Sequence, residues 1–343
     1  MTGAVLSLQE LAEEVRDGTA YQDQIELLGR RGIPLDEAIR ALHLYDARWA
    51  CDVLGSVFAA TKSTDGWVSA ELDPRFADDA RAAIAEARAI VSAVNRPNLL
   101  VKVPGTPSGL KVVSDCVAEG IGVNATHISS VQRYGELIEA YFEGLERALA
   151  SGRPLTASVS VASFEAARMG IMVDASLDGP ADEGTGRLRG RAALALARAA
   201  YDLYEERLGS DRWRKLRTSG ARPQRLVWTG ADTAGTGGAA GTGDAPDTKH
   251  APVRHVEELV AWSTVHAMSQ PTLTAVARWG RLSGDTLTGE SSAADEVLTG
   301  LRQHGVSIDR MAEELTRAAV QRSVSSRLDL DGSVRDRLSV LDG

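Results

Sequence analysis

The run Leu99-Leu100-Val101-Lys102-Val103-Pro104 decides how this chain is read, because it sets one lysine among hydrocarbon side chains, between the turn residues Pro97-Asn98 and Pro104-Gly105. A short apolar run bounded in that way predicts a buried strand. An ammonium is costly there. Desolvation favours the neutral amine, and a neutral lysine amine is a nucleophile able to condense with a carbonyl substrate as a Schiff base. The same placement suits a lysine at a strand end that reaches solvent, or one paired with a buried carboxylate. The run alone leaves both readings open.

Outward from this strand, short apolar runs alternate with longer amphipathic stretches, the pattern of βα units around a parallel sheet. Candidate strands are 3–6, 67–71, 99–103, 122–126, 157–163, 225–229 and 259–266. Between them, 73–94, 108–119, 130–150 and 188–208 carry helical periodicity and are rich in Ala, Leu, Arg and Glu, all good helix formers. Pro104-Gly105-Thr106-Pro107 is the turn before one helix, and Ser130 is placed to cap the next. Residues 231–250 are Gly-, Ala- and Thr-rich without periodicity. They read as a loop inserted in one domain, too poor in apolar side chains to offset their ordering entropy. Residues 293–343 read as C-terminal helices.

Composition narrows the function classes. The 343 residues are 43% hydrophobic and 25% charged, ordinary for a globular protein with ample core. A net charge of −9, with no basic stripe, argues against a nucleic-acid partner. No run approaches the length of a membrane span and the N-terminus lacks a signal-like pattern, so the expected location is the cytoplasm, without a membrane partner. Cys51 and Cys116 lie far apart without CxxC spacing, which suggests two small core residues and neither a metal site nor a disulfide.

In an α/β barrel the chemistry gathers at the C-terminal ends of the strands. Glu71 ends the strand Trp67-Val68-Ser69-Ala70-Glu71, Asn124 and Thr126 share a face of the next-but-one strand, and Ser163 ends Val159-Ser160-Val161-Ala162-Ser163 with Arg168 shortly after. Taken singly, Asn124 and Thr126 are ordinary strand-end hydrogen bonders and Glu71 an ordinary cap. Their joint appearance at successive strand ends favours a site.

The segments Val68-Ser69-Ala70-Glu71-Leu72-Asp73-Pro74-Arg75, Asn98 to Pro104, Val123-Asn124-Ala125-Thr126 and Val161-Ala162-Ser163-Phe164 with Arg168 resemble the successive strand motifs of transaldolases, in order. The resemblance continues through Arg189-Gly190-Arg191-Ala192-Ala193-Leu194 and Ser210-Asp211-Arg212-Trp213 to Gly284-Asp285-Thr286, and so covers most of the chain. It implies a transaldolase-type (β/α)8 TIM barrel, as a single domain over 1–343, and class I aldol chemistry of the pentose phosphate pathway type, with no metal or organic cofactor. By that resemblance Lys102 is the Schiff-base lysine. Glu71 and Thr126 hold the water that shuttles protons, Asn124 and Ser163 bind substrate hydroxyls, and Arg168 holds a substrate phosphate. The expected partner is a small sugar or sugar phosphate.

Departures from the family pattern are informative. Gly3-Ala4-Val5-Leu6-Ser7-Leu8 resembles the family's second strand, with Ser7 where a substrate-touching asparagine stands and Leu8 where its proline stands. The family's first strand, with the aspartate that acts as base, has no counterpart after Met1, and Asp17 lies in what resembles the following helix. The expectation is therefore a barrel incomplete at its N-terminal edge, and an open edge invites pairing with another chain. After the seventh family strand, Trp228-Thr229-Gly230-Ala231-Asp232 replaces a Ser-Thr-Gly-x-Lys pattern, so Asp232 is expected to repel a phosphate. Glu165 stands where relatives carry a phenylalanine. It either points toward the Schiff base as a substitute acid or base, or is a surface glutamate on a shifted turn. His127 is a weaker candidate for the same work, expected by strand alternation to face the helix layer. Three readings follow: a transaldolase whose start site is set too far downstream, a divergent class I aldolase on an unusual sugar, or a catalytically silent relative kept for binding.

Overall fold

The computed structural model describes residues 3–177, 183–233 and 251–339. Its fold is α/β. Among the described residues, the apolar runs form seven strands, β1 (Gly3–Val5), β2 (Trp67–Glu71), β3 (Leu99–Pro104), β4 (Val123–Ile128), β5 (Ser160–Phe164), β6 (Arg225–Trp228) and β7 (Val265–His266), which follow one another through the sheet in chain order. β1 pairs with β2 and β2 with β3 in parallel, as do β5 with β6 and β6 with β7. Val101 N–H donates to Gly122 C=O just before β4, and Glu165 N–H just after β5 donates to Ile128 C=O. Helices fill the intervals, as the alternation predicts.

Packing divides the chain into two compact units of interleaved segments: 3–124, 144–159 and 317–339 in the first, 125–143 and 160–316 in the second. The first holds β1 to β3 with α1 (Leu8–Asp17), α2 (Gln22–Arg30), α3 (Leu35–Ala60), α4 (Ala80–Val94) and α5 (Pro107–Ala118). β4 and α6 (Val131–Ala150) contribute residues to both units. The second holds β5 to β7 with α7 (Ala166–Ser176), α8 (Glu183–Leu188), α9 (Ala192–Gly209), α10 (Asp211–Thr218), α11 (Ala251–Glu258), α12 (Gln270–Trp279) and α13 (Ser291–Gln303). The long α14 (Ile308–Ser339) begins in the second unit and ends in the first.

In the first unit, α1, α2 and α3 bury Leu8, Leu11, Val15, Ile25, Ile39 and Leu42 against Leu330 and Val334 of α14. The end of the chain is thereby tied to its beginning. Cys51 and Cys116 are buried on α3 and α5, where loss of hydration pushes both thiols up to about 12. In the second unit, α9 packs against α7 and α13, and Phe164 meets the rings of Tyr134 and Trp228 edge to face. No helix among the described residues is long and apolar enough to cross a membrane.

Several boundaries differ from the sequence reading: the expected helix over 188–208 begins as a separate element only at Ala192, and the expected strand over 157–163 begins only at Ser160. The expected helix over 73–94 is split, because Asp73 caps the short turn Pro74–Phe76 and Asp79 then accepts from Ala82 N–H to start α4. The expected strand over 259–266 shrinks to Val265–His266. Ser263 sits at φ +62°, and Thr264 N–H turns back to Ala261 C=O, so the run cannot stay extended. Of the Gly-rich insertion, Ala231–Thr233 forms a short turn of helix, and 234–250 lie outside the described residues.

The start of α5 fixes how closely it approaches β3. Thr106 caps the helix by accepting from Gly109 N–H, Pro107 follows at the first position, and a Cβ at Gly109 would lie 1.8 Å from Pro104 C=O, which is backbone that cannot swing aside. Gly109→Ala should therefore destabilise the protein by about 1–3 kcal/mol or more, by overpacking. A lower urea midpoint at unchanged slope checks this.

Candidate active site

Strand alternation places Lys102 opposite to Val101 and Val103, which are fully buried, and β3 lies in register with β2 so that Lys102 is directly across from Glu71. The Lys102 ammonium donates to Glu71 Oε2 and to Leu6 C=O, at 3.3 Å each. Both side chains are only 13% exposed. Of the alternatives open in the sequence, the amine thus pairs with a carboxylate held out of solvent.

Several groups hold that carboxylate in place. Glu71 Oε2 accepts from Leu8 N–H at 3.2 Å, the first residue of α1, and the hydroxyl of Ser323 on α14 adds a further hydrogen bond. Burial alone would raise the Glu71 carboxyl. The Lys102 charge and the Leu8, Lys102 and Ser323 hydrogen bonds outweigh it and hold the group below its ordinary value. His43 on α3 sits against the Glu71 backbone, Nε2 to C=O 3.1 Å. Burial lowers its imidazole, which favours a neutral ring, and because a carbonyl only accepts, Nε2 carries the hydrogen. Neither His43 nor Ser323 is visible from motif spacing, since both come from helices remote in sequence.

The depressed carboxyl has a pH signature. A group whose folded value lies below its unfolded value contributes stability above the unfolded value, about 4.3 for glutamate, and that contribution is lost as pH falls through the folded value. Stability should therefore drop below about pH 4.3 partly through Glu71. Urea midpoints across the acid range should fall less steeply in Glu71→Gln than in the parent.

Asn124, on β4, donates its amide to Ser69 Oγ at 3.0 Å, and both residues are buried. Ser69 lies two positions before Glu71, on the same face of β2. That spacing was the available signal for Ser69, which motif reading passed over. Ser7 serves as the N-cap of α1, its hydroxyl accepting from Glu10 N–H at 3.1 Å.

In the second unit, Thr126 on β4 and Ser163 on β5 are buried at the C-terminal ends of their strands. Glu165 follows Phe164 as the N-cap position of α7. Its side chain is 13% exposed, so it is no surface residue on a shifted turn. One carboxylate oxygen lies 2.8 Å from His127 Nδ1 and the other 3.6 Å from Arg168 Nε. His127 meets the first residue of a helix start. Its backbone is left-handed at φ +61°, which breaks the two-residue alternation of β4 and turns the ring onto Glu165.

The residues at the altered phosphate pattern play other parts. Trp228 is 1% exposed and packs edge to face on Phe164, so its ring belongs to the core. Asp232 accepts from Ser269 N–H and from Ser269 Oγ at 2.6 Å, at the residue that caps α12. Burial would raise its carboxyl, but the Ser269 and Thr272 hydrogen bonds keep it low. Its charge is engaged by a helix start, where an anion is favoured. Among the described residues, no group of three or more His, Cys, Asp or Glu side chains is arranged to hold a metal ion.

Residues 8–333 match the model of one protein family, described as Transaldolase/Fructose-6-phosphate aldolase. The transaldolase of Acidothermus cellulolyticus is 43% identical over 319 residues, spanning 93% of this chain and 82% of that protein. That of Thermobifida fusca is 43% identical over 332 residues, 96% of this chain and 86% of its own length. Transaldolase 1 of Streptomyces avermitilis is 40% identical over 306 residues, 89% and 78% of the two chains.

Proposed function

The chain belongs to the transaldolase/fructose-6-phosphate aldolase family, and from that membership we infer that it is a transferase that moves a three-carbon dihydroxyacetone unit between sugar phosphates through a lysine Schiff base. This is chemistry of the pentose phosphate pathway type. The observation that carries the reading is the Lys102–Glu71 pair: an amine and a carboxylate, side by side on adjacent strands and screened from water.

The residue roles follow from family membership and from that pair. Lys102 attacks the ketose carbonyl after handing a proton to Glu71, which lies at hydrogen-bond range and is kept charged by its neighbours. Loss of water from the carbinolamine gives the iminium. This cation draws the electron pair of the C3–C4 bond as it breaks, leaving an enamine on Lys102 and releasing an aldose. The enamine carbon then attacks an acceptor aldehyde, and hydrolysis frees the lysine. Glu71 and Thr126 would hold the shuttling water, Asn124 and Ser163 the substrate hydroxyls, Arg168 the phosphate, and Ser7 would lie near the sugar. The fold that fits these roles is the family's eight-stranded barrel as a single domain, working in the cytoplasm.

Borohydride reduction in the presence of fructose 6-phosphate tests the reading. The expected result is a stable adduct on Lys102, together with transfer of the three-carbon unit to a four-carbon aldose phosphate. A protein that forms no adduct and transfers nothing would leave only a binding role.

A further inference from the structure

Within the first unit, the parallel ladder between β1 and β2 advances two residues at a time on each strand. Leu6 N–H donates to Ser69 C=O at 2.9 Å, so the next rung would join Leu8 N–H to Glu71 C=O. Ser7 between them is still extended, at φ −132° and ψ 142°, and carries the Leu8 amide to that rung. The rung is not made. Leu8 N–H goes instead to the side chain of the same residue, Glu71 Oε2, at 3.2 Å. The carbonyl left over is taken by His43 of α3, whose Nε2 lies 3.1 Å away.

Diverting the amide requires a second donor. Glu71 is largely shielded from water, and a carbonyl left there without a partner is penalised. His43 is 7% exposed and brings the missing N–H. Burial and the Lys102 charge both lower its imidazole, so the ring donates without setting a second cation beside the amine. We propose that His43 is a positioning residue for Glu71: by capping the strand-end carbonyl, it keeps Leu8 N–H on the catalytic carboxylate.

The assignment rests on the transfer reading above and deepens it. In that reading the Lys102 ammonium hands its proton to Glu71, so the carboxylate form has to be populated before the amine can attack. A hydrogen bond to the carboxylate favours that form. Without His43, the Leu8 amide is drawn back to the carbonyl, the ladder gains its rung, and the carboxylate loses a donor. Lys102 of β3, Glu10 of α1 and His43 itself titrate or carry charge close enough to act on Glu71, and Glu86 of α4 and Arg327 of α14 share the cavity beside it. Changes at His43 leave all the others in place.

The alternative is a buried histidine that only fills space between α3 and β2, and the test separates the two. His43→Phe and His43→Leu remove the N–H with apolar side chains of two sizes, while His43→Gln keeps an amide N–H of similar reach. Leu8→Pro removes the other donor; proline is accepted at the first position of a helix and after an extended residue such as Ser7. The rate of borohydride-trapped adduct formation on Lys102 with fructose 6-phosphate is followed against pH, with circular dichroism as the check of folding. His43→Phe and His43→Leu should form the adduct roughly ten- to hundredfold more slowly, the worth of one hydrogen bond to a charged group. Their acid limb should move to higher pH, since the carboxyl rises when it loses a donor. His43→Gln should stay near the parent in both respects. Leu8→Pro should reproduce the slowing, and His43→Phe added to it should slow the reaction no further, because the shared amide is already gone. A parental rate and acid limb in a folded His43→Phe or His43→Leu protein, equal slowing in His43→Gln, or full additivity in the double variant overturns this assignment alone. Absence of the adduct in the parent protein overturns it together with the transfer reading.

Discussion

A Lys102→Met protein is expected to form no borohydride-stable adduct and to lose transfer by at least about 10⁴-fold, equivalent to about 5 kcal/mol of transition-state stabilisation. The replacement keeps most of the side-chain volume between Val101 and Val103 but removes the only group on β3 able to carry the iminium. Without that electron sink, cleavage next to a ketone has to proceed through an unassisted enolate, and Glu71 has no amine to deprotonate. The variant also removes the charge that does most to hold the Glu71 carboxyl low. The carboxyl is then pushed upward by burial with less to oppose it, and the stability that it contributes above the acid range shrinks. Mass spectrometry of reduced samples reads the adduct, a coupled assay reads transfer, and circular dichroism confirms that the variant is folded. Turnover within about tenfold of the parent, a loss of only about 1.4 kcal/mol, would remove Lys102 from the mechanism.

The second large effect is expected at Arg327 on α14. Its side chain is 4% exposed and is shared among carboxylates: Asp36 at 2.7 Å, Asp73 at 3.6 Å, and Asp331 one turn further along the helix. Asp73 also pairs with Arg75 at 2.6 Å and starts the turn that follows Glu71. Removing this cation leaves the largely buried Asp331 carboxylate uncompensated, at a cost of about 3–5 kcal/mol. Arg327→Leu should lower the urea midpoint accordingly. Asp331→Asn on the Arg327→Leu background should recover part of the loss, because Arg75 still faces Asp36 and Asp73, whereas Asp331 loses the cation it pairs with. Arg327→Lys should fall between, as it keeps a cation but not the planar fork that faces several carboxylates at once. A cavity of about 640 Å³, lined in part by Asp36, His43, Glu71, Asp73 and Arg327, lies beside this cluster. The cluster reaches the Glu71 loop, so an Arg327 variant that folds should also be slower to form the Schiff base.

Particular elements show how far sequence reading carries. Leu99 to Pro104 was legible as a strand because apolar run length and flanking turn residues are local properties. Glu71 and Lys102 were legible as neighbours because successive strands of a βα repeat pair in parallel, and the motif residues fall at their C-terminal ends. The helix that starts at Pro107 was announced by Thr106 and Pro107, whose capping and fixed φ are intrinsic to the residues. The family was legible from motifs spread along most of the chain. The strand expected over 259–266 was misjudged because a left-handed Ser263 bends a run whose composition alone looks extended.

By itself, then, the sequence determined the α/β class and the order of the strands, and its motif segments, in order along the chain, carried the family and pointed to Lys102 and Glu71. The class and the strand order depend on periodicity, caps and turn residues, which act over a few positions of the chain. Only the tertiary structure decided that Ser323, His43 and Leu8 converge on Glu71, that Arg327 binds three carboxylates, that Asp232 is engaged by a helix start, and that His127 turns onto Glu165. Each of these depends on which distant elements pack together, or on one backbone angle held by such packing. That information lies in the sum of many weak contacts between elements and in no single stretch of residues.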